Sequence, residues 1–198
     1  MEHEAWLVDL DGTLYRPLPV KAAMAAELLL FGASAVRILR RFRHAHEELR
    51  ADGVAGEDPY RAQIELTARD LGRSPDEVSR LVTEWMHERP GPWIKRFLRR
   101  SLLAEIRSFR ERGGKTALVS DYPARKKLAA AGVADLFDEV VASGEPGGPP
   151  RLKPDPAGYL LAAERLGVAP ERSLVIGDRE DADGAAARAA KMAFRRIA

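Results

Sequence analysis

Short apolar runs and helical stretches alternate along most of this chain. Ala5–Val8 is apolar and ends abruptly in Asp9-Leu-Asp-Gly-Thr13, the pattern of a strand buried on both faces that breaks into a loop. From Pro19 to Arg89 the pattern is helical only. Val20–Arg50 reads as one long helix or two, with Gly32 the candidate break, and Asp58–Leu71 as a helix stopped at Gly72. Ser74-Pro-Asp-Glu77 offers an N-cap, a proline at the first helical position and a capping-box glutamate, which predicts a helix over Pro75–His87. Arg89-Pro-Gly-Pro92 then reads as a hinge.

Beyond the hinge the texture alternates. Ile94–Arg112 reads as a helix stopped by Gly113-Gly114, Thr116–Val119 as a strand, Arg125–Ala131 as a helix and Glu139–Ala142 as a strand. After a loop rich in Pro and Gly, Ala157–Leu166 reads as a helix, Ser173–Ile176 as a strand, Asp183–Lys191 as a helix and Ala193–Ile197 as a last strand. Strands alternating with helices imply a parallel sheet covered on both faces. The expected fold class is therefore α/β, a Rossmann-like core (residues 1–16 and 94–198) interrupted by an all-helical insert (17–93).

Composition changes this picture little. At 198 residues the chain is long enough for one full core, and 45% hydrophobic with 31% charged residues is ordinary for a globular protein. The net charge is +2, and basic residues alternate with acidic ones along the helical stretches. Such mixing argues against a nucleic-acid footprint, which gathers like charge on one surface. No cysteine is present, which removes thiol catalysis and thiolate metal sites. The apolar run Ala22–Ala35, interrupted by Glu27, is too short to span a bilayer. Entry into a strand within five residues leaves no room for a signal peptide, so the expected location is cytoplasmic with no membrane partner.

The chemistry lies at the strand ends, where ligands of open α/β sheets bind. Asp9 and Asp11 flank one residue, so in an extended chain they point the same way. Two such carboxylates need a cation or a shared proton, and magnesium takes oxygen ligands while keeping waters for a phosphate-bearing substrate. Asp178 and Asp183 follow another strand, with Asp181 competing for the outer role. Gly12 permits a sharp turn that brings backbone N–H groups near an anion, Ser120 can donate to a phosphoryl oxygen, and Lys153 can neutralise developing charge. Tyr15 and Arg16 are candidates for lining the entrance. Trp85 and Trp93 read as packing residues, and His3, His44, His46 and His87 show no metal-site spacing.

These motifs resemble those of the haloacid dehalogenase superfamily, whose members are mostly phosphatases. Asp9-Leu-Asp-Gly-Thr-Leu14 looks like the first motif, Leu118-Val-Ser120 the second, Lys153-Pro154 the third, and Gly177-Asp-Arg-Glu-Asp-Ala-Asp183 the fourth. The resemblance implies a nucleophile at Asp9, an acid/base at Asp11, phosphate contacts from Gly12, Thr13, Ser120 and Lys153, and Mg2+ held by Asp9, the Asp11 carbonyl, Asp178 and Asp183. It further implies that the helical insert is the family's smaller type of cap, and that the substrate is a small-molecule phosphate ester such as a glycolate, sugar or nucleotide phosphate. Phosphoglucomutase-like transfer and a non-catalytic phosphate-binding scaffold are the alternatives. A dehalogenase is disfavoured because those members lack the acid/base at the position of Asp11, and oligomeric state is left open.

Overall fold

The computed structural model describes residues 3–53 and 58–197. Five strands form one parallel sheet in the order β3-β2-β1-β4-β5: β1 (Ala5–Asp9), β2 (Lys115–Ser120), β3 (Glu139–Ala142), β4 (Ser173–Gly177) and β5 (Ala193–Arg196). The chain winds outward from β1 through β2 and β3, then returns to the other side of β1 with β4. The order therefore reverses at β1, and that reversal opens a crevice at the carboxyl ends of β1 and β4.

Alternation along the strands supplies the two faces. Val8, Leu118 and Ile176 lie in register on one face, over Leu102, Ile106 and Leu128. Leu7, Ala117 and Val175 lie on the other, over Tyr159, Ala162 and Ala186. Leu7 and Val8 are fully buried, each such side chain contributing about 1.5–3 kcal/mol.

The region after β1 is all-helical: α1 (Pro17–Phe31), α2 (Val36–Asp52), α3 (Pro59–Leu71) and α4 (Pro75–Val82), the last running into a π-helical turn over Thr83–Glu88. It has an apolar cluster of its own, built on Ile38, Phe42, Ile64, Val78, Val82 and Trp85. The expected break falls at Gly32, where the helices on either side are bent by 110°. Any side chain there would place its Cβ 2.4 Å from the Trp85 ring. Asp58 caps α3 through Tyr60 and Arg61 N–H, and Ser74 caps α4 through Glu77 N–H. Among the described residues no single helix is long and apolar enough to cross a membrane.

Two readings of the sequence are corrected. The helix expected from Ile94 starts earlier, within the Arg89–Pro92 stretch: Gly91–Arg96 is a helix, α5, with Pro92 in its first turn, and Gly91 lies against Ala130. Residues 94–112 do not form one helix, because α6 (Arg100–Glu111) starts anew. Arg16 N–H donates to the Phe97 carbonyl at 3.0 Å and Arg99 N–H to the Leu14 carbonyl at 2.8 Å, so long-range pairing takes the backbone groups that a continuous helix would have used. The remaining helices are α7 (Arg125–Ala131), α8 (Ala157–Leu166) and α9 (Ala185–Ala189), the last preceded by a π-helical turn at Glu180–Gly184.

Candidate active site

A cavity of about 710 Å³ opens at the crevice, between the carboxyl ends of the strands and the helices of the insert. Asp9, Asp11, Ser120, Lys153, Asp178 and Asp183 all line it.

Asp9 is the last residue of β1, so the rigid central strand fixes its backbone. Its Oδ1 accepts from Lys153 Nζ at 2.6 Å and its Oδ2 from Thr13 Oγ1 at 2.9 Å. Lys153 Nζ also reaches Asp183 Oδ1 at 2.8 Å and donates to the Val119 carbonyl. Burial opposes the lysine's charge, but Asp9, Tyr159 and Asp183 hold its pKa well above the ordinary value. Asp9 itself is pushed up to about 8 by burial and by the Asp183 and Asp11 charges, against the pull of Lys153. Thr13 is fully buried and outside the cavity lining, so its hydroxyl orients the Asp9 carboxylate. Gly12 has φ +106°, and a Cβ there would meet Asp178 Oδ2 at 2.2 Å. The loop therefore needs glycine twice, for its backbone conformation and for the room it leaves Asp178.

Asp9, Asp178 and Asp183 each offer one carboxylate oxygen, all within 4.8 Å of one another. Burial and the Asp183 charge also raise the pKa of Asp178. One lysine does not neutralise three carboxylates, and hard oxygen donors so placed suit a small divalent cation. Asp183 is fixed by the Tyr159 hydroxyl at 2.8 Å and by Arg179 N–H at 3.2 Å. Asp181, its competitor in the sequence, lies exposed and pairs with Arg179.

Asp11 parts company with Asp9. The chain turns after β1, and the Asp11 carboxylate accepts from Lys127 Nζ at 2.9 Å on both oxygens and from the Tyr15 hydroxyl at 2.5 Å. Burial alone would raise its pKa, but Lys127 and Tyr15 outweigh burial and hold it below the ordinary carboxylate value. Its side chain is not in the Asp9-Asp178-Asp183 group. Lys127, buried on α7, was missed in the sequence because a lysine beside the apolar Leu128 carries no spacing signal.

Ser120 ends β2, where its Oγ accepts Tyr122 N–H at 3.1 Å. Asp121 is half-buried, accepts Lys153 N–H at 3.1 Å and lies 3.7 Å from His46 Nε2 of α2. Burial works against its charge, but the His46 contact and Lys153 keep its pKa low. From the same helix Arg50 donates to the Lys153 carbonyl at 2.6 Å, so the insert holds one side of the lysine's backbone and Asp121 of the core the other. Tyr15 lines the cavity as expected, whereas Arg16 is exposed and borders a separate hollow with Arg96 and Arg99. Trp85 belongs to the insert's cluster and also faces the cavity, while Trp93 donates to Glu27 at 2.7 Å.

Residues 3–191 match the family model of haloacid dehalogenase-like hydrolases. The chain is 30% identical to a phosphoserine phosphatase of Thermus thermophilus, across 93% of this chain and 84% of that protein. It is 33% identical to a glyceraldehyde 3-phosphate phosphatase of Methanopyrus kandleri, across 68% of this chain and 57% of that one. Its fold is similar to that of the L-2-haloacid dehalogenase of Xanthobacter autotrophicus, with TM-score 0.67 and 20% identity over 99% of this chain and 78% of the other.

Proposed function

The chain belongs to the haloacid dehalogenase-like hydrolases, and from that membership we propose that it is a magnesium-dependent phosphatase of small phosphate monoesters, working through an aspartyl-phosphate on Asp9. The observation that carries this reading is the single cavity in which Asp9, Lys153, Asp178 and Asp183 converge at the carboxyl ends of β1 and β4. Phosphatase activity in the two curated relatives supports it.

In this reading a carboxylate oxygen of Asp9 attacks phosphorus and the bond to the leaving oxygen breaks. The negative charge of the bound phosphate raises the proton affinity of Asp11, which takes up a proton as the ester binds and gives it to that oxygen. Asp11 then takes a proton from the water that attacks the aspartyl-phosphate, which frees inorganic phosphate and restores the Asp9 carboxylate. Lys127 and Tyr15 hold the Asp11 carboxyl group at the cavity wall. Lys153 neutralises charge on the phosphoryl oxygens and Ser120 donates to one of them. Thr13 orients Asp9, and Gly12 leaves room for Asp178. Magnesium, held by Asp9, Asp178, Asp183 and the Asp11 carbonyl, would add positive charge opposite the phosphoryl group when bound. Residues 17–93 act as the cap that covers the site and excludes water.

Release of inorganic phosphate from a panel of monoesters, with magnesium and with excess chelator, tests the reading. Turnover should vanish in Asp9→Asn and nearly vanish on chelation. A folded, metal-loaded wild type that releases phosphate from no ester overturns it, and phosphoryl transfer or a binding role then moves ahead.

A further inference from the structure

Above the carboxylates the cavity changes character. Val20, Met24 and Leu28 recur at intervals of four along α1 and so form one stripe. All three face the cavity, and Leu39, Trp85 and Met86 extend the same apolar wall. Polar side chains on that side are already engaged. His46 Nδ1 lies 3.3 Å from Gln63 Oε1, Glu47 is held by Arg50 and Arg179, and Arg50 is tied to the Lys153 carbonyl. Only Lys21 and Arg43 line the cavity from the insert with no hydrogen bond or ion pair to another described residue, and both are exposed.

A substrate body enclosed by these helices must find partners for its hydroxyls or lose their hydration without compensation. An unpaired buried hydroxyl costs on the order of 1–3 kcal/mol. An apolar body, by contrast, gains about 25 cal/mol for each Å² it buries against the wall. The volume points the same way. About 710 Å³ lies in the upper part of the range that encloses ligands of drug size, far more than a three-carbon phosphate fills.

Resting on the phosphatase reading, we propose that the preferred substrate is a phosphate monoester with an aromatic or long aliphatic body, seated against Val20, Met24, Leu28 and Trp85. Hydroxylated sugar phosphates and phosphoserine are disfavoured, although two of the similar proteins are a phosphoserine phosphatase and a glyceraldehyde 3-phosphate phosphatase. The dianionic phosphate end lies at Asp9, and Lys21 and Arg43 draw it toward the cavity mouth.

Two measurements test this. In the first, kcat/KM is compared at fixed magnesium for naphthyl and hexyl phosphate against glucose 6-phosphate, phosphoserine and glyceraldehyde 3-phosphate. The apolar esters should be favoured by at least about tenfold, and Met24→Gln or Leu28→Gln should reduce that ratio by about tenfold. Preference for the hydroxylated esters, or a ratio unmoved by both variants, overturns the inference while leaving the phosphatase reading intact. In the second, calorimetric titration of Asp9→Asn with naphthylmethylphosphonate and a hydroxypropylphosphonate reads the wall without turnover. Tighter binding of the aromatic phosphonate, weakened in Met24→Gln, sustains the inference even if no ester is hydrolysed. Equal or reversed affinities overturn it.

Discussion

The Lys127 ammonium lies 2.9 Å from each carboxylate oxygen of Asp11, and Lys127 is buried. The two residues come from different elements, β1's loop and α7, so their pairing ties the acid/base candidate to the helix that follows β2. Without the ammonium the partly exposed Asp11 carboxylate keeps only the Tyr15 hydroxyl, a loss of about 1–3 kcal/mol. Lys127→Met should therefore lower the melting temperature. With the ammonium gone, the acid limb of the pH–rate profile should also move upward as Asp11 loses the group that holds its pKa down. A melting point and a profile that both match the wild type would exclude this role for Lys127.

Lys153 stands between Asp9 and Asp183. Lys153→Ala would leave three close carboxylates without a cation of the protein's own. The variant should lose about 100-fold or more in kcat, on the scale of removing one preorganised charge-stabilising group. Added magnesium should raise its melting temperature by more than it raises that of the wild type, since the ion then supplies the missing charge. Phosphate release and thermal unfolding with and without chelator read both effects.

A methyl group at position 12 would occupy the space of the Asp178 carboxylate. Gly12→Ala should displace that side chain and strain a backbone at φ +106°, costing about 1–3 kcal/mol. The apparent magnesium affinity should fall, whereas the exposed Asp181→Ala should leave it near the wild-type value. Titration of activity against magnesium distinguishes the two sites.

His87 is buried with its Nε2 2.9 Å from the Tyr60 hydroxyl. Burial, reinforced by the Lys127 charge, lowers its pKa from 6.5 to about 3. Between those values the unfolded chain binds a proton that the folded one refuses. This group's contribution is therefore complete above pH 6.5 and is lost as pH falls toward 3, with a limiting slope of about 1.4 kcal/mol per pH unit. Urea unfolding from pH 7 to pH 4 should show that decline in the wild type and a shallower one in His87→Gln, which keeps a partner for Tyr60.

The parts of this site that were legible in the sequence are those fixed by local chain geometry. Asp9, Ser120 and Asp178 stand at or beside the ends of apolar runs, and a parallel strand delivers its end to one side of the sheet. The break at Gly32 was legible too, although its cause, the Trp85 ring, is distant in sequence. What escaped depended on pairing across the chain. Residues 94–112 have helical periodicity throughout, but Leu14 and Arg16 claim the backbone between α5 and α6. The short spacing of Asp9 and Asp11 suggests carboxylates that point the same way and need a cation or a shared proton. A turn after β1 instead gives the Asp11 side chain its own ammonium, from a lysine 116 residues away. No rule of spacing reaches that far.

The pairing of Leu14–Arg16 with Phe97–Arg99 has a consequence for how this molecule can vary. The chain leaves the core and re-enters it through two adjacent segments joined by backbone hydrogen bonds. To the sheet, everything carried between those segments is equivalent to a tight turn. Closure is achieved at the base, so lengthening or reshaping the intervening helices adds little further entropic cost. The doorway is fixed, so helices remote from the strand ends can change in length while Arg50 and His46 of α2 keep their hold on the loops that carry Lys153 and Asp121.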